Sequence, residues 1–488
     1  MVNIVIFTNT YPYGSGETFF ETELPYLLSL KKRIVLLPLY GSGTMRFVPS
    51  SKEAPVATLP PLLPFPPKKR HKLLFHGLFN CAPLCFGINE FFAQSVWRSR
   101  TKMWRYATSW LLIRTVLSQN RRLFDRLLQP EQDASSNPQE AKIPTRSTLH
   151  KGDTITSSTI FYFYWGDKSA LLLPFLRKRF RQRYGNAPFP RTIVRFHGSD
   201  LYEEATGFLP FRTRTLPHID LACPVSRHGA EYLRQRYGVL TPPLLVARLG
   251  TIDWGLGPEP PFPNHQPPPL HIVTCARLVA LKRIHLIWEA LMLLHTTRRL
   301  TVPLRWTLIG EGPLRLELER EVRHSVQEGV VQEHSVQESA VKEHIVQEDV
   351  VQKDIAQKDI AQEGALSVHF TGHLPQDAIM EFYRNTPIDL FILTSESEGV
   401  PVSIMEALSF GIPVVATAVG GIPELVSEAN GGLLPAHPKA NDVAEAIQRF
   451  IHLSPSERRS KRQAARAAWE QEWNASVNFT KWTQVFTD

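Results

Sequence analysis

The sequence predicts an α/β protein built from two doubly wound, Rossmann-like domains that face a central cleft. Three observations predict it. Short β-branched runs alternate with amphipathic stretches in both halves, the pattern of parallel strands covered by helices. The order strand, glycine-bearing loop, helix opens the chain and recurs from His271 onward. Between the two runs lies GLGPEPPFPNHQPPP, residues 255–269, a proline-rich linker. The expected layout is one domain over 1–254, the linker over 255–269, a second domain over 270–470, and a terminal segment over 471–488. A chain of 488 residues, 43% of them hydrophobic, is too long for one core and excludes a disordered or fibrous protein.

Val2 to Thr8 is the first predicted strand. Gly14 and Gly16 form its loop, and Glu17 to Leu30 carries apolar residues at helical spacing. Ile34 to Leu39 is the second strand. A proline-rich and then basic stretch, PPLLPFPPKKR, follows at 60–70. From Lys68 to Arg122 there are eleven Lys or Arg against one acid, Glu90, interleaved with aromatics from Phe75 to Trp110. This segment reads either as a face for an anionic membrane surface or as a helical excursion with core aromatics and solvated charges. Residues 131–158 are polar and aperiodic and read as an insertion. Strands are predicted again at Ile160 to Trp165, Thr192 to Phe196 and Ala222 to Val225.

The second half repeats the plan. His271 to Cys275 is a strand, ARLVALKR a loop and Ile284 to Leu294 a helix. Trp306 to Ile309 is a strand ending in GEGP, and further strands fall at Val368 to Thr371, Leu390 to Thr394 and Val414 to Thr417. Within this half, residues 326–364 form a pentapeptide repeat, with Gln at 327, 332, 337, 347, 352, 357 and 362. Five residues advance a helix by about 140° net, so the apolar positions wind around it and make no stripe. It reads as a low-complexity insertion without a catalytic role.

The composition narrows the function. The net charge of +9 suits anionic partners without choosing among them. The basic residues are concentrated in one segment, so a nucleic-acid track is not expected. Four cysteines make no disulfide framework, and Cys81 and Cys85 have no second pair at zinc spacing. The apolar run Ile4 to Phe7 is too short for a signal-peptide core, and no uncharged run approaches the ~18 residues of a membrane span. A cytoplasmic protein is expected, with room for peripheral attachment at the inner face of the cytoplasmic membrane.

The chemistry concentrates in FILTSESEGVPVSIMEALSFGIPVVATAVGGIPELV, residues 391–426. A buried strand runs into a turn with Glu398, Gly399 and Val400, and Pro401 opens a helix that carries Glu406. Backbone N–H groups near Val402 and Ser403 are free donors at a helix N-terminus and suit a phosphate. Carboxylates beside them accept hydrogen bonds from sugar hydroxyls. Arg277 and Lys282, five apart on a strand–helix turn, suit a diphosphate leaving group. Gly310 and Gly312 of GEGP permit close backbone approach. His197, in VRFHGSDLYEE, stands at the carboxyl end of a strand, where ligands of such sheets bind.

These motifs resemble family-4 retaining glycosyltransferases of the GT-B fold, whose E-x7-E signature takes the form EGVPVSIMEALSFGIPVVAT here. TYPYGSGETFFETEL, the YWG-bearing strand and RFHGSDLYEE are similar to the subgroup that assembles exopolysaccharide, colanic-acid-type polymers and capsule. The resemblance implies a hexose moved from a nucleotide diphosphate sugar to a lipid-linked saccharide, with the first domain on the acceptor side. It implies that Glu398 holds the transferred sugar, Glu406 the ribose, and Arg277 and Lys282 the distal phosphate. It further places Gly14, Gly16, Gly310, Gly312, Gly399, Val400, Pro401, Val402 and Ser403 around the donor and His197 near the reacting sugar. No D-x-D occurs in the chain, which fits a family independent of metal and cofactor. Two other readings stay open: another GT-B enzyme such as a sugar-nucleotide epimerase, and a basic membrane-surface or scaffold protein with a degenerate GT-B fold.

Overall fold

The computed structural model describes residues 2–14, 17–41, 44–46, 48–63, 91–92, 94–130, 155–261, 270–327 and 366–487. Gly16, Cys81, Cys85, the basic stretch before Phe91, residues 131–154 of the expected insertion, residues 262–269 of the linker and residues 328–364 of the repeat lie outside the described residues. The chain divides into two compact units, Met1–Leu249 with Asn478–Asp488, and Gly250–Val477.

The N-terminal unit holds strands β1 (Val2–Thr8), β2 (Ile34–Pro38), β3 (Val56–Thr58), β4 (Ile155–Phe163), β5 (Arg191–Phe196) and β6 (Leu221–Pro224). They form one sheet in the order β3-β2-β1-β4-β5-β6, and every pairing is parallel. Reversal of strand order at β1 is the mark of a doubly wound sheet, which binds ligands beyond the carboxyl ends of its strands. β1 reads as a near-continuous apolar run because helices cover both its faces, and Ile4, Val5, Ile6 and Phe7 are fully buried. Two elements depart from the sequence reading. β4 begins at Ile155, inside the stretch read as insertion, because ITSST is polar yet β-branched enough to pair. β3 is a three-residue edge strand, too short to show periodicity.

A buried polar knot ties the chain's last residues into this unit. Glu23 and Arg195 are wholly buried and paired at 2.5 Å. Glu23 also accepts hydrogen bonds from the Tyr162 hydroxyl at 2.9 Å and the Trp482 indole N–H at 2.6 Å. The Arg195 guanidinium donates to the carbonyls of Ala247 and Arg248 and lies 4.9 Å from the centre of the Trp482 ring. Phe486 closes the cluster against Tyr162.

The C-terminal unit repeats the topology. β7 (Leu270–Cys275), β8 (Leu304–Ile309), β9 (Leu366–Gly372), β10 (Leu390–Leu393), β11 (Val414–Thr417) and β12 (Gly431–Leu434) form a parallel sheet in the order β12-β11-β10-β7-β8-β9. Strand order reverses between β7 and β10. The boundary between units falls at Leu249 and Gly250, ahead of the proline run. Thr251 exchanges backbone hydrogen bonds with Trp473 and Ala475, and its hydroxyl accepts from the Trp469 indole at 2.7 Å. Gly257 and Pro258 are held by Phe410 and Arg462, so the start of the expected linker is packed structure of this unit.

Candidate active site

The acid-bearing loop lies just past the carboxyl end of β10. Thr394 and Ser395, directly after the strand, are fully buried. Their backbone is fastened by Arg283, whose guanidinium donates to the carbonyls of Thr394 at 2.9 Å, Ser395 at 2.8 Å and Ala436 at 2.9 Å. The Thr394 hydroxyl returns bonds to the carbonyls of Lys282 and Arg283. The loop after β7 and the loop after β10 are thereby locked together, with Glu396 N–H donating to Leu281. On this base Glu398 accepts hydrogen bonds from the Lys282 ammonium and, at 2.6 Å, from the Ser395 hydroxyl. The two charged side chains are mostly shielded, at 17% exposed for Lys282 and 12% for Glu398.

The turn that carries Glu398 has no room for a larger neighbour. Gly420 has φ of +56°, and a Cβ there would stand 1.8 Å from the Glu398 carbonyl oxygen. Gly421 N–H donates to the Gly399 carbonyl at 2.7 Å. The VGG turn after β11 and the EG turn after β10 therefore touch through backbone alone, which only glycine permits at this φ.

Pro401 precedes the helix Val402–Ser409 and provides no side-chain cap. The N–H groups of the first turn, Val402 and Ser403 among them, are left as unsatisfied donors in the positive end of the helix dipole. Val400 and Pro401 are buried behind them. Glu406 lies one turn into the helix, 7% exposed, and accepts from Gln376 Nε2 at 3.0 Å. Burial pushes its carboxyl from an ordinary 4.5 up to about 7, against the lowering pull of Gln376.

That shift sets a pH dependence. Below pH 4.5 both native and unfolded chains hold the proton, and Glu406 makes no difference. Between 4.5 and about 7 the unfolded chain releases it while the native chain keeps it, so stability falls as pH rises, by about 3 kcal/mol once the pH passes 7. Glu406→Gln is expected to remove this fall. Denaturant unfolding at a series of pH values should show the variant gaining on wild type across that window, and a constant difference would contradict it.

The other predicted donor residues fall on neighbouring loops. Gly310, φ +143°, ends β8, and a Cβ there would meet the Ala276 carbonyl oxygen at 1.9 Å. Gly312 lies against Leu278 in the same way. Arg277 is exposed on the loop after β7 and makes no ion pair among the described residues. The loops after β7, β8 and β10 thus bring Arg277, Lys282, Gly310, Gly312, Glu398 and Gly399 to one end of one sheet.

In the N-terminal unit His197 follows β5 directly. It is 8% exposed, its Nδ1 stands 3.8 Å from Asp200 Oδ2, and neither ring nitrogen makes a hydrogen bond among the described residues. Phe19, Tyr164 and Trp165 surround the ring, Trp165 at 4.3 Å between centres. Asp200 shapes this loop. Its carboxylate accepts from the N–H groups of His197, Gly198 and Gly166 at 2.7, 3.1 and 2.8 Å. Burial alone would raise that carboxyl, but His197 and the backbone donors outweigh it and hold it below the ordinary range. Gly14, φ +68°, stands on the loop after β1 with open space about its Cα.

Sequence reasoning missed several residues here. Glu17 accepts from the backbone N–H groups of Asn9, Thr10 and Tyr11 and from the Trp165 indole, joining the segment after β1 to the ring that packs on His197. In the sequence, GETF gives it no role beyond the start of a helix. Arg283 was hidden by its neighbour Lys282, and Ser395 and Gln376 carried no pattern. Among the described residues no three His, Cys, Asp or Glu side chains are grouped to hold a metal, and no helix is long and apolar enough to cross a membrane.

Two doubly wound α/β units, with an acid-bearing loop and an uncapped helix at the carboxyl end of the second sheet, define the fold class: GT-B. Residues 351–467 match the family described as Glycosyl transferases group 1. It is 28% identical over 290 residues, 58% of this chain, to the putative colanic acid biosynthesis glycosyltransferase WcaL of Escherichia coli. It is 24% identical over 306 residues, 60% of this chain, to the amylovoran biosynthesis glycosyltransferase AmsK of Erwinia amylovora. The matched stretches span 60% and 63% of those relatives' own lengths. The fold is similar over the whole chain to the lipopolysaccharide outer core galactosyltransferase WaaB, covering 99% of that chain at a TM-score of 0.57 and 14% identity. It is also similar to HepE of Anabaena in complex with UDP, covering all of both chains at a TM-score of 0.56 and 13% identity.

Proposed function

We propose that the protein is a retaining glycosyltransferase that moves a hexose from a nucleotide diphosphate sugar to a lipid-linked saccharide, in cell-surface polysaccharide biosynthesis at the inner face of the cytoplasmic membrane. The observation that carries this reading is the arrangement after β10: Glu398, held by Lys282 and Ser395, stands immediately before an uncapped helix N-terminus whose next turn carries the buried acid Glu406.

In this reading the donor's diphosphate rests on the N–H groups of Val402 and Ser403 and is neutralised by Lys282 and Arg277. These fixed donors need no reorganisation as negative charge grows on the leaving phosphate. Glu398 turns from Lys282 toward the hydroxyls of the hexose, and Glu406 receives the ribose hydroxyls. The acceptor hydroxyl attacks the anomeric carbon from the side the diphosphate leaves, and a phosphate oxygen takes its proton. His197, whose Nε2 has no hydrogen-bond partner among the described residues, is assigned to the acceptor side. The printed names of the relatives, colanic acid and amylovoran biosynthesis among them, support polysaccharide assembly as the setting.

Calorimetry with UDP, GDP and ADP in the presence of a chelator tests the donor side. One diphosphate is expected to bind without metal, and Lys282→Ala to weaken it by about tenfold or more, the loss of one charge-assisted contact. Equal binding to wild type and variant, or binding only when a divalent metal is supplied, would contradict the assignment.

A further inference from the structure

The basic, aromatic segment of the N-terminal unit is partly seated and partly bare. The helix Arg100–Gln119 begins after Ser99, whose hydroxyl caps it. One face is packed. Ile113 joins Leu171 and Phe211 in a small core, with Tyr106, Trp110 and Leu117 against it. Arg105, Thr108, Ser109 and Leu112 line a pocket shared with Gly166 and Lys168. Tyr106 is fixed further by Phe91 at 5.5 Å and Phe211 at 4.7 Å. These aromatics are core, as the plainer sequence reading had it.

The opposite face is not packed. Arg100, Met103, Trp104 and Ala107 recur at i, i+3, i+4 and i+7, and all four are exposed. Trp104 is 55% exposed and Met103 38%. The short turn of helix before it, Val96–Arg98, adds Trp97 at 51% and Phe92 lies just ahead at 64%. Four large apolar side chains bare within thirteen residues are a concentration that a soluble surface rarely shows. Cations accompany them. Arg98 lies over the Trp97 ring at 4.8 Å and, with Arg100, is exposed. No Asp or Glu occurs between Glu90 and Asp125.

We propose that this face docks the N-terminal unit onto a lipid bilayer with anionic headgroups. Trp97, Met103, Trp104 and Phe92 enter the headgroup region, where an indole's apolar body and polar N–H are both accommodated. Arg98 and Arg100 pair with lipid phosphates at the same level. The all-cationic character of the face is what selects an anionic bilayer over a neutral one or over a second, equally basic copy of the chain. The packed inner face holds the helix at a fixed angle, so the insertion needs no refolding. The inference rests on the membrane setting of the proposed function and names the face that meets the bilayer, while nucleotide binding reports on the donor site separately.

Cosedimentation with phosphatidylcholine vesicles, with and without phosphatidylglycerol, tests it on the full chain. Wild type is expected to bind the anionic vesicles, to lose that binding in high salt, and to bind the neutral ones weakly. Trp97→Ser with Trp104→Ser, and separately Arg98→Gln with Arg100→Gln, are each expected to weaken binding by about tenfold or more. Both pairs should bind nucleotide diphosphate as wild type does, which reports that the fold is intact. Lipids brominated in the acyl chains should quench wild-type tryptophan emission more than that of the serine pair. Absence of binding to anionic vesicles, equal binding to both vesicle types, or full binding by both variant pairs would each overturn the proposal. So would a tryptophan-dependent dimer in light scattering that leaves vesicles untouched.

Discussion

Glu398→Ala is expected to lower hexosyl turnover by about a hundredfold to a thousandfold while leaving the protein folded. The size follows from the role. A charged acceptor that aligns the hexose as its anomeric carbon becomes electron-poor is worth about 3–4 kcal/mol when it acts mainly in the transition state. The variant also strands the Lys282 ammonium, which loses its carboxylate partner in a site where it is only 17% exposed. Lys282 and Glu398 should therefore couple. The double variant is expected to lose less than the product of the two single losses, because the second removal relieves an unpaired charge left by the first. Initial rates over a range of donor concentration, read as kcat and KM for each of the three variants, check this. A loss of less than threefold in Glu398→Ala would remove the residue from the reaction.

The second large effect is on stability. Arg195→Met is expected to destabilise the chain by about 3–5 kcal/mol, the usual result of breaking a buried ion pair by removing one partner. Glu23 would remain wholly buried with only the Tyr162 hydroxyl and the Trp482 indole as donors. Glu23→Gln with Arg195→Met should recover much of the loss, since no uncompensated charge is then left in the core. The helix Thr18–Ser29, strands β4 and β5 and the segment that carries Trp482 meet at this pair, so its loss should release residues near Trp482 first. Denaturant unfolding of the full chain measures the loss, and hydrogen exchange around Trp482 locates it. A change within about 1 kcal/mol would mean that the pair gives nothing beyond what water or packing replaces.

Much of this was legible because buried parallel strands advertise themselves. VNIVIF, TIVRF, HIVTC and FILT can be read without a partner, since each is a short, mostly β-branched or apolar run. The segment from Glu398 to Glu406 was legible for a different reason. A carboxylate, a glycine turn, a proline and a helix follow one another in a fixed order there, and each leaves its own mark in the sequence. What failed to show were interactions whose halves lie far apart. Glu23 and Arg195 are separated by 172 positions, and although each falls inside a motif, nothing in either motif pairs it with the other. Arg283 does its work through carbonyl groups, which every residue carries. Glu17 satisfies four backbone and indole donors with one carboxylate, and its sequence context announces only a helix start. The proline composition of 255–269 gives no sign that Gly257 and Pro258, at its start, are hydrogen-bonded within the C-terminal unit. The division at Leu249 was set by Thr251 joining Trp469 and Trp473, a contact across more than two hundred residues.

The central claim is that the loops after β7, β8 and β10 hold a nucleotide diphosphate sugar for transfer. Its most direct test is release of nucleotide diphosphate from a panel of UDP-, GDP- and ADP-sugars, with anionic vesicles and a lipid-linked saccharide supplied, for wild type and Glu398→Ala side by side. The account predicts release from one donor class, dependent on the acceptor and lost in the folded variant. Release from no donor, or release that Glu398→Ala leaves unchanged, would contradict it.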